Sequence, residues 1–125
     1  MNALIDHVIM DGAAYYISGA TDNQFDLSLC TRIFEYWQQQ TSLLNALEKN
    51  GQSLLIMQRL IRYILMEEPE YARYMGIPQD QTLEHIVYTV GGLMGLIFTW
   101  HHQRYPKTAA QMGEVLYQLV QRKTS

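Results

Sequence analysis

The fold of this chain is decided by the stretch Thr82-Leu83-Glu84-His85-Ile86-Val87-Tyr88-Thr89-Val90-Gly91-Gly92-Leu93-Met94-Gly95-Leu96-Ile97-Phe98-Thr99-Trp100-His101-His102. Residues of a helix advance by about 100° each. On that wheel Leu83, Ile86, Val87, Val90, Met94, Ile97 and Phe98 form one broad apolar stripe. Tyr88, Gly91, Gly92, Gly95 and Thr99 gather on a second face, and Leu93, Leu96 and Trp100 fill much of the remainder. A helix that is apolar nearly all round is expected to be buried on several sides. Each glycine inside a helix costs about 1 kcal/mol relative to alanine. Three on one face therefore predict a close approach to this backbone, by another helix or by a ligand. Small residues at four-residue spacing also mark paired membrane helices. The uninterrupted apolar run from Val90 to Phe98 falls short of the roughly 20 residues a bilayer requires, and Glu84, His85, His101 and His102 bracket it. No membrane partner is expected.

Outward from this helix the chain reads as helical throughout. Upstream, Asn2–Ser18 carries a stripe of Leu4, Ile5, Val8, Ile9, Ala13, Tyr16 and Ile17, stopped by Gly19 and the polar run Thr21-Asp22-Asn23-Gln24. Leu27–Gln40 follows, with Asp26 as N-cap and Leu27, Cys30, Ile33, Phe34 and Trp37 inward. Thr41 or Ser42 starts a short helix to Lys49 carrying Leu43, Leu44 and Leu47, and Asn50-Gly51 stops it. Gln52–Glu68 has Leu54, Leu55, Ile56, Met57, Leu60, Ile61, Ile64 and Leu65 around most of its circumference, so it is expected to be central, with Arg59 and Arg62 on the wet side. Tyr71–Met75 reads as a link closed by Gly76-Ile77-Pro78, and Asp80 as the cap of the long helix. Downstream, Thr108 and Gln111 match a capping box. The last helix then runs to about Lys123 with Met112, Val115, Leu116, Leu119 and Val120 as its stripe. No run alternates apolar and polar residues between turn signals, so no strand is expected. The predicted fold is all-α, an antiparallel bundle of about six helices in one domain spanning 1–125.

Composition narrows the function classes. At 125 residues with 48% hydrophobic content the chain supports a real core. Nine basic and 12 acidic residues give a net charge of −3, the wrong sign for a surface that grips DNA. The N-terminus lacks a basic segment followed by an apolar run, so no secretory signal is expected. The single cysteine, Cys30, excludes an internal disulfide and fits a reducing cytoplasm.

Catalytic chemistry is not indicated. There is no phosphate loop, HExxH, CxxC or nucleophile elbow. His101 and His102 diverge by about 100° and do not form the one-face i, i+4 pair that metals favour. Asp6-His7 and Glu84-His85 are sequence neighbours, a poor geometry for an orienting hydrogen bond. Glu67, Glu68 and Glu70 read as a solvated helix end, and Cys30 as a small core residue. No enzyme activity, metal or cofactor is expected. Seven Met, nine Tyr, three Phe and two Trp are instead the side chains that line small apolar cavities as well as cores.

The segment from Tyr88 to Trp100, followed by Tyr105-Pro106-Lys107-Thr108 and Met112-Gly113-Glu114-Val115-Leu116, resembles the C-terminal end of TetR-family transcriptional regulators. The likeness lies in a glycine pair, a further Gly three residues on, a Trp near the helix end and a capped last helix. Ile33-Phe34-Glu35-Tyr36-Trp37-Gln38-Gln39-Gln40 is similar to an early helix of the same regulatory domain. The motifs cover about a third of the chain, and the helix order fits the rest.

The resemblance implies a regulatory domain that binds a small, largely apolar effector inside the bundle and homodimerises through its last two long helices. It supplies the glycine face with a partner, the same face of a second copy. The dimer residues it implies are Tyr88, Gly91, Gly92, Gly95, Thr99, Leu116 and Val120. Inner-face position nominates Tyr16, Phe34, Trp37, Met57, Ile61 and Met94 as effector contacts, between the first, second, fourth and central helices. In the family DNA is read by an N-terminal helix-turn-helix domain. No such pattern precedes Asn2 here, so DNA contact is expected only through a domain absent from this chain. A dimerisation or adaptor module without any ligand is the rival reading.

Overall fold

The computed structural model describes residues 2–18, 26–66 and 78–123, and all of their regular structure is helical. The elements are α1 (Asn2–Ser18), α2 (Leu27–Gln38), α3 (Thr41–Lys49), α4 (Ser53–Met66), a 3₁₀ turn at Gln79–Gln81, α5 (Thr82–His102) and α6 (Ala109–Lys123). The all-α class expected from periodicity is therefore what is seen. The side chain of Tyr16, the sequence 19–25 with its stop signals, and the segment 67–77 with its three glutamates and Tyr71–Met75 lie outside the described residues.

Local chemistry explains most boundaries. Asp26 caps α2 by accepting from the Leu29 amide at 2.7 Å. The helix ends at Gln38, two residues earlier than expected, and the Thr41 hydroxyl donates back to the Gln38 carbonyl at 2.9 Å. Thr108 and Gln111 form the reciprocal box: the Gln111 amide donates to Thr108 Oγ1 at 3.1 Å, and the Thr108 amide donates to Gln111 Oε1 at 2.9 Å. Asp80 does not cap α5. The 3₁₀ turn, closed by the Gln81 amide on the Pro78 carbonyl at 3.1 Å, moves the N-cap to Gln81.

Two helix ends use one device. At the end of α3 the Gln52 amide bonds the Leu47 carbonyl and the Gly51 amide bonds the Glu48 carbonyl, with Gly51 at φ +65°. At the end of α5 the Tyr105 amide bonds the Trp100 carbonyl and the Arg104 amide bonds the His101 carbonyl. Both are Schellman closures. The second puts Arg104 (φ 63°) and Tyr105 (φ 57°) in left-handed backbone normally left to glycine.

The core is shared among all six helices. Ile5, Val8 and Ile9 come from α1; Cys30, Ile33, Phe34, Tyr36 and Trp37 from α2; Leu43, Leu44 and Leu47 from α3. α4 gives Ile56, α5 gives Ile86, Val90, Met94, Ile97 and Trp100, and α6 gives Met112 and Leu116. The most extensive helix pair is α2 with α6, followed by α4 with α5. Phe34 meets Trp100 edge-on at 5.4 Å, and Trp100 meets Tyr105 edge-on at 4.6 Å. The Tyr36 hydroxyl donates to the Val8 carbonyl at 2.7 Å, fastening α2 to α1, and Arg59 of α4 clasps Asp6 of α1 with two N–H groups.

Several apolar positions expected inside are outside. Leu4 and Leu27 are exposed, and so are Leu83 and Val87 at the start of α5. Thr82 and Ile86 beside them are fully buried, so at its start α5 presents a narrower inward face than its apolar stripe. α4 is not central: only Ile56 of it is fully buried, while Leu54 is 59% and Met66 76% exposed. Its circumference is apolar nearly everywhere, and such a pattern carries no information on which side faces the core. Leu119 of α6, at the edge of that helix's stripe, is exposed as well.

Candidate functional site

The last turn of α3, the first turn of α4 and the C-terminal half of α5 converge on an open groove of about 480 Å³. The turn at Gly51 makes it: left-handed backbone there folds α4 back beside α3, so Glu48 stands opposite Ser53 and Leu54. Met57 continues the α4 wall, and Met94, Gly95, Phe98, Thr99, His102 and Gln103 form the α5 wall. Met94 is fully buried and forms the floor, and Phe98 is half-buried. The size lies within the range of small-molecule sites, and an apolar floor with a few polar rim groups is their usual lining. Among the described residues Glu48 supplies the only carboxylate of the lining. Its Oε2 lies 3.7 Å from Nδ1 of His102, whose side chain is 81% exposed.

α5 carries its glycine face to the outside. Tyr88, Gly92, Gly95 and Thr99 are exposed and Gly91 is half-buried. Among the described residues no atom lies within 4 Å of where a Cβ would stand on Gly91, Gly92 or Gly95. The close approach predicted for these glycines is therefore not made by any of the described residues. At the other end of this face Asp80, Gln81, Glu84, His85 and Tyr88 surround a second open recess. From Tyr88 to Thr99 the bare strip runs about 16 Å along the axis. Over its full length α5 also has the length and apolar composition of a membrane span, with 28% of its best window buried.

The nominated effector contacts separate into two groups. Met57 and Met94 share the groove. Phe34 and Trp37 are sealed in the core at 0% and 1% exposure and do not line it, and Ile61 is half-buried on α4 without lining it. Of the nominated dimer residues on α6, Leu116 is turned into the chain's own core at 7% exposure, and Val120 is half-buried. Leu116 therefore offers nothing to a second copy.

Sequence reasoning missed Glu48, Leu54 and His102 at the groove, because their juxtaposition depends on how α3 and α4 meet α5. It also missed a buried polar chain beside it. His101 is 7% exposed; its Nε2 lies 2.8 Å from Asn45 Oδ1 and its Nδ1 2.8 Å from the Tyr105 hydroxyl. That hydroxyl is 2.6 Å from Thr41 Oγ1. Asn45 Oδ1 can only accept, so His101 Nε2–H donates to it, and the Tyr105 hydroxyl links Nδ1 of His101 to Thr41 Oγ1. The Trp100 indole N–H donates to the Lys107 carbonyl at 2.8 Å. A Trp-His pair followed by a Tyr four residues on is the only trace of this clamp in the sequence.

Titratable groups elsewhere are structural. Burial, with the Asp26 charge adding to it, pushes the Cys30 thiol up to about 12, so Cys30 is a poor nucleophile. Burial, and then the charge of Asp11, raises Tyr36. The hydrogen bonds from Arg59 hold Asp6 below the usual carboxylate range. Among the described residues no three His, Cys, Asp or Glu side chains cluster as a metal site would need. Compared with protein-family models, with curated proteins and with solved structures, the chain gives no significant match.

Proposed function

We propose that this chain is a homodimerising regulatory unit of the TetR C-terminal kind, which pairs through the glycine face of α5 together with α6 and takes a small, largely apolar effector in the groove at Met57 and Met94, whose wall at Gly95 and Thr99 borders the dimer seam. The family likeness is that of the sequence motifs around Tyr88–Trp100. The observation that carries the dimer is the bare glycine strip: three helical glycines cost about 3 kcal/mol of helix propensity, and no contact among the described residues requires them. A second α5 crossing at this strip gains backbone-to-backbone contact that any larger side chain would block. A non-enzymatic role in the cytoplasm goes with this reading, and DNA would be reached through a separate reading domain.

The ligand-free adaptor reading draws on a different observation. Phe34, Trp37 and Met94 are packed at 1% exposure or less, so the interior itself is filled. In that case the dimer is the whole function. Native mass spectrometry of gently purified protein separates the two. A dimer carrying a bound small molecule supports the sensor, and a dimer that neither retains nor takes up any supports the adaptor. A monomer at all concentrations, unchanged by Gly92→Leu, overturns both.

A further inference from the structure

We infer that the groove selects a ligand with a cationic head on an apolar body, the head lying against Glu48 and the body against Met57 and Phe98, above the fully buried Met94. The inference rests on the small-ligand part of the function proposed above and specifies its chemistry. Three features point to positive charge. Glu48 is the only carboxylate in the lining among the described residues, and its side chain keeps 29% of its surface exposed, so it can receive a partner from the groove. Glu48 stands in the last turn of α3, and Thr99 and His102 in the last turn of α5. Two helix C-termini, each equivalent to about half a negative charge, thus meet one N-terminus, that of α4. The one imidazole at the groove is weakly engaged: His102 lies 3.7 Å from Glu48 and is mostly in solvent, so an incoming ammonium displaces little. The floor of thioether and aromatic groups suits an alkyl or aryl body and is polarizable enough to sit beside a cation.

The test uses three probes with one hexyl chain: hexyltrimethylammonium, 1-hexanol and hexanesulfonate. Binding is read from the methyl resonances of Met57 and Met94 in methionine-labelled protein, with the Met112 methyl, buried at the α6 side of the core, as internal reference. The ammonium is expected to shift both groove methyls at about fivefold lower concentration than hexanol, the scale of a partly exposed ion pair, with hexanesulfonate weakest. Glu48→Gln should bring ammonium and hexanol level, and His102→Ala should favour the ammonium further. If ammonium and hexanol move the two methyls equally in the unaltered protein, the charge selection is wrong and the groove still binds apolar molecules. If no probe moves them, the groove is not a ligand site and both readings fail together.

Discussion

Gly113 of α6 lies directly on Thr31 of α2: a Cβ at Gly113 would stand 2.6 Å from Thr31 Oγ1 and 2.7 Å from both its Cα and its amide nitrogen. Two of the three obstructing atoms are backbone, so no rotamer change relieves the clash. This crossing sets the spacing of the most extensive helix pair in the molecule. Gly113→Ala gains about 1 kcal/mol of helix propensity but must push the helices apart. Overpacking of this kind costs about 1–3 kcal/mol, and the backbone obstruction places it at the upper end. A net loss is expected in urea unfolding; a variant as stable as the parent would show that the helices separate freely.

Gly92 is the opposite case, since its Cβ position is open. In a lone chain Gly92→Ala raises stability by about 1 kcal/mol through helix propensity alone. In a dimer closed on this strip the same methyl group falls between two backbones. The melting temperature should therefore rise with dilution of the variant relative to the parent and fall at high concentration. A uniform gain at every concentration argues that the strip is never covered.

The turn after α5 holds two residues in left-handed backbone, at about 1–2 kcal/mol each, and the Tyr105 hydroxyl anchors it to His101 and Thr41. Tyr105→Phe strips partners from two part-buried polar groups and should cost about 1–3 kcal/mol. Arg104→Gly should act the other way, by about 0.5–1 kcal/mol, because glycine adopts this conformation without steric cost. Thermal unfolding of both variants checks the pair of signs.

Asp6 and Arg59 link stability to acidity. The folded state holds Asp6 below its ordinary value, chiefly through the Arg59 hydrogen bonds. The unfolded chain then binds this proton first as pH falls. The stabilisation is complete above the ordinary aspartate range and is lost as pH drops through the lowered folded value. Asp6→Asn should therefore melt lower than the parent at neutral pH, and the gap should close in acid. A gap independent of pH would mean that packing, not charge, sets it.

Cys30 offers a probe of opening. It is fully buried and its thiol is raised to about 12, so a thiol reagent at neutral pH should label it only when the core opens. The labelling rate should rise with denaturant in step with global unfolding. Rapid labelling of the native protein would contradict the described packing around α2.

How much of this was legible in the residues follows from what each signal depends on. The bounds of α5 and the box at Thr108 and Gln111 are local, and both were readable. So was the inward face Cys30, Ile33, Phe34 and Trp37, because α2 is polar on its other side. α4 was misread as central because an all-apolar circumference does not say which side meets a neighbour. Gly113 is a lone glycine in an amphipathic helix, indistinguishable by sequence from a tolerated defect. Arg104 hides a helix stop that a glycine would have announced. The groove depends on Glu48, Leu54 and His102 arriving from three helices, so only Met57 and Met94 were nominated for it in advance.

The α2–α6 seam has a consequence for synthesis. Thr31 and Gly113 come from opposite ends of the chain, and contacts between distant segments form late because loop closure must precede them. A nascent chain exposes the side of α2 around Thr31 until α6, about 80 residues later, leaves the ribosome to cover it. A ribosome stalled before Gly113 would hold a partly closed bundle, a natural client for chaperones and proteases. The cell can thus discard an incomplete copy before its core closes.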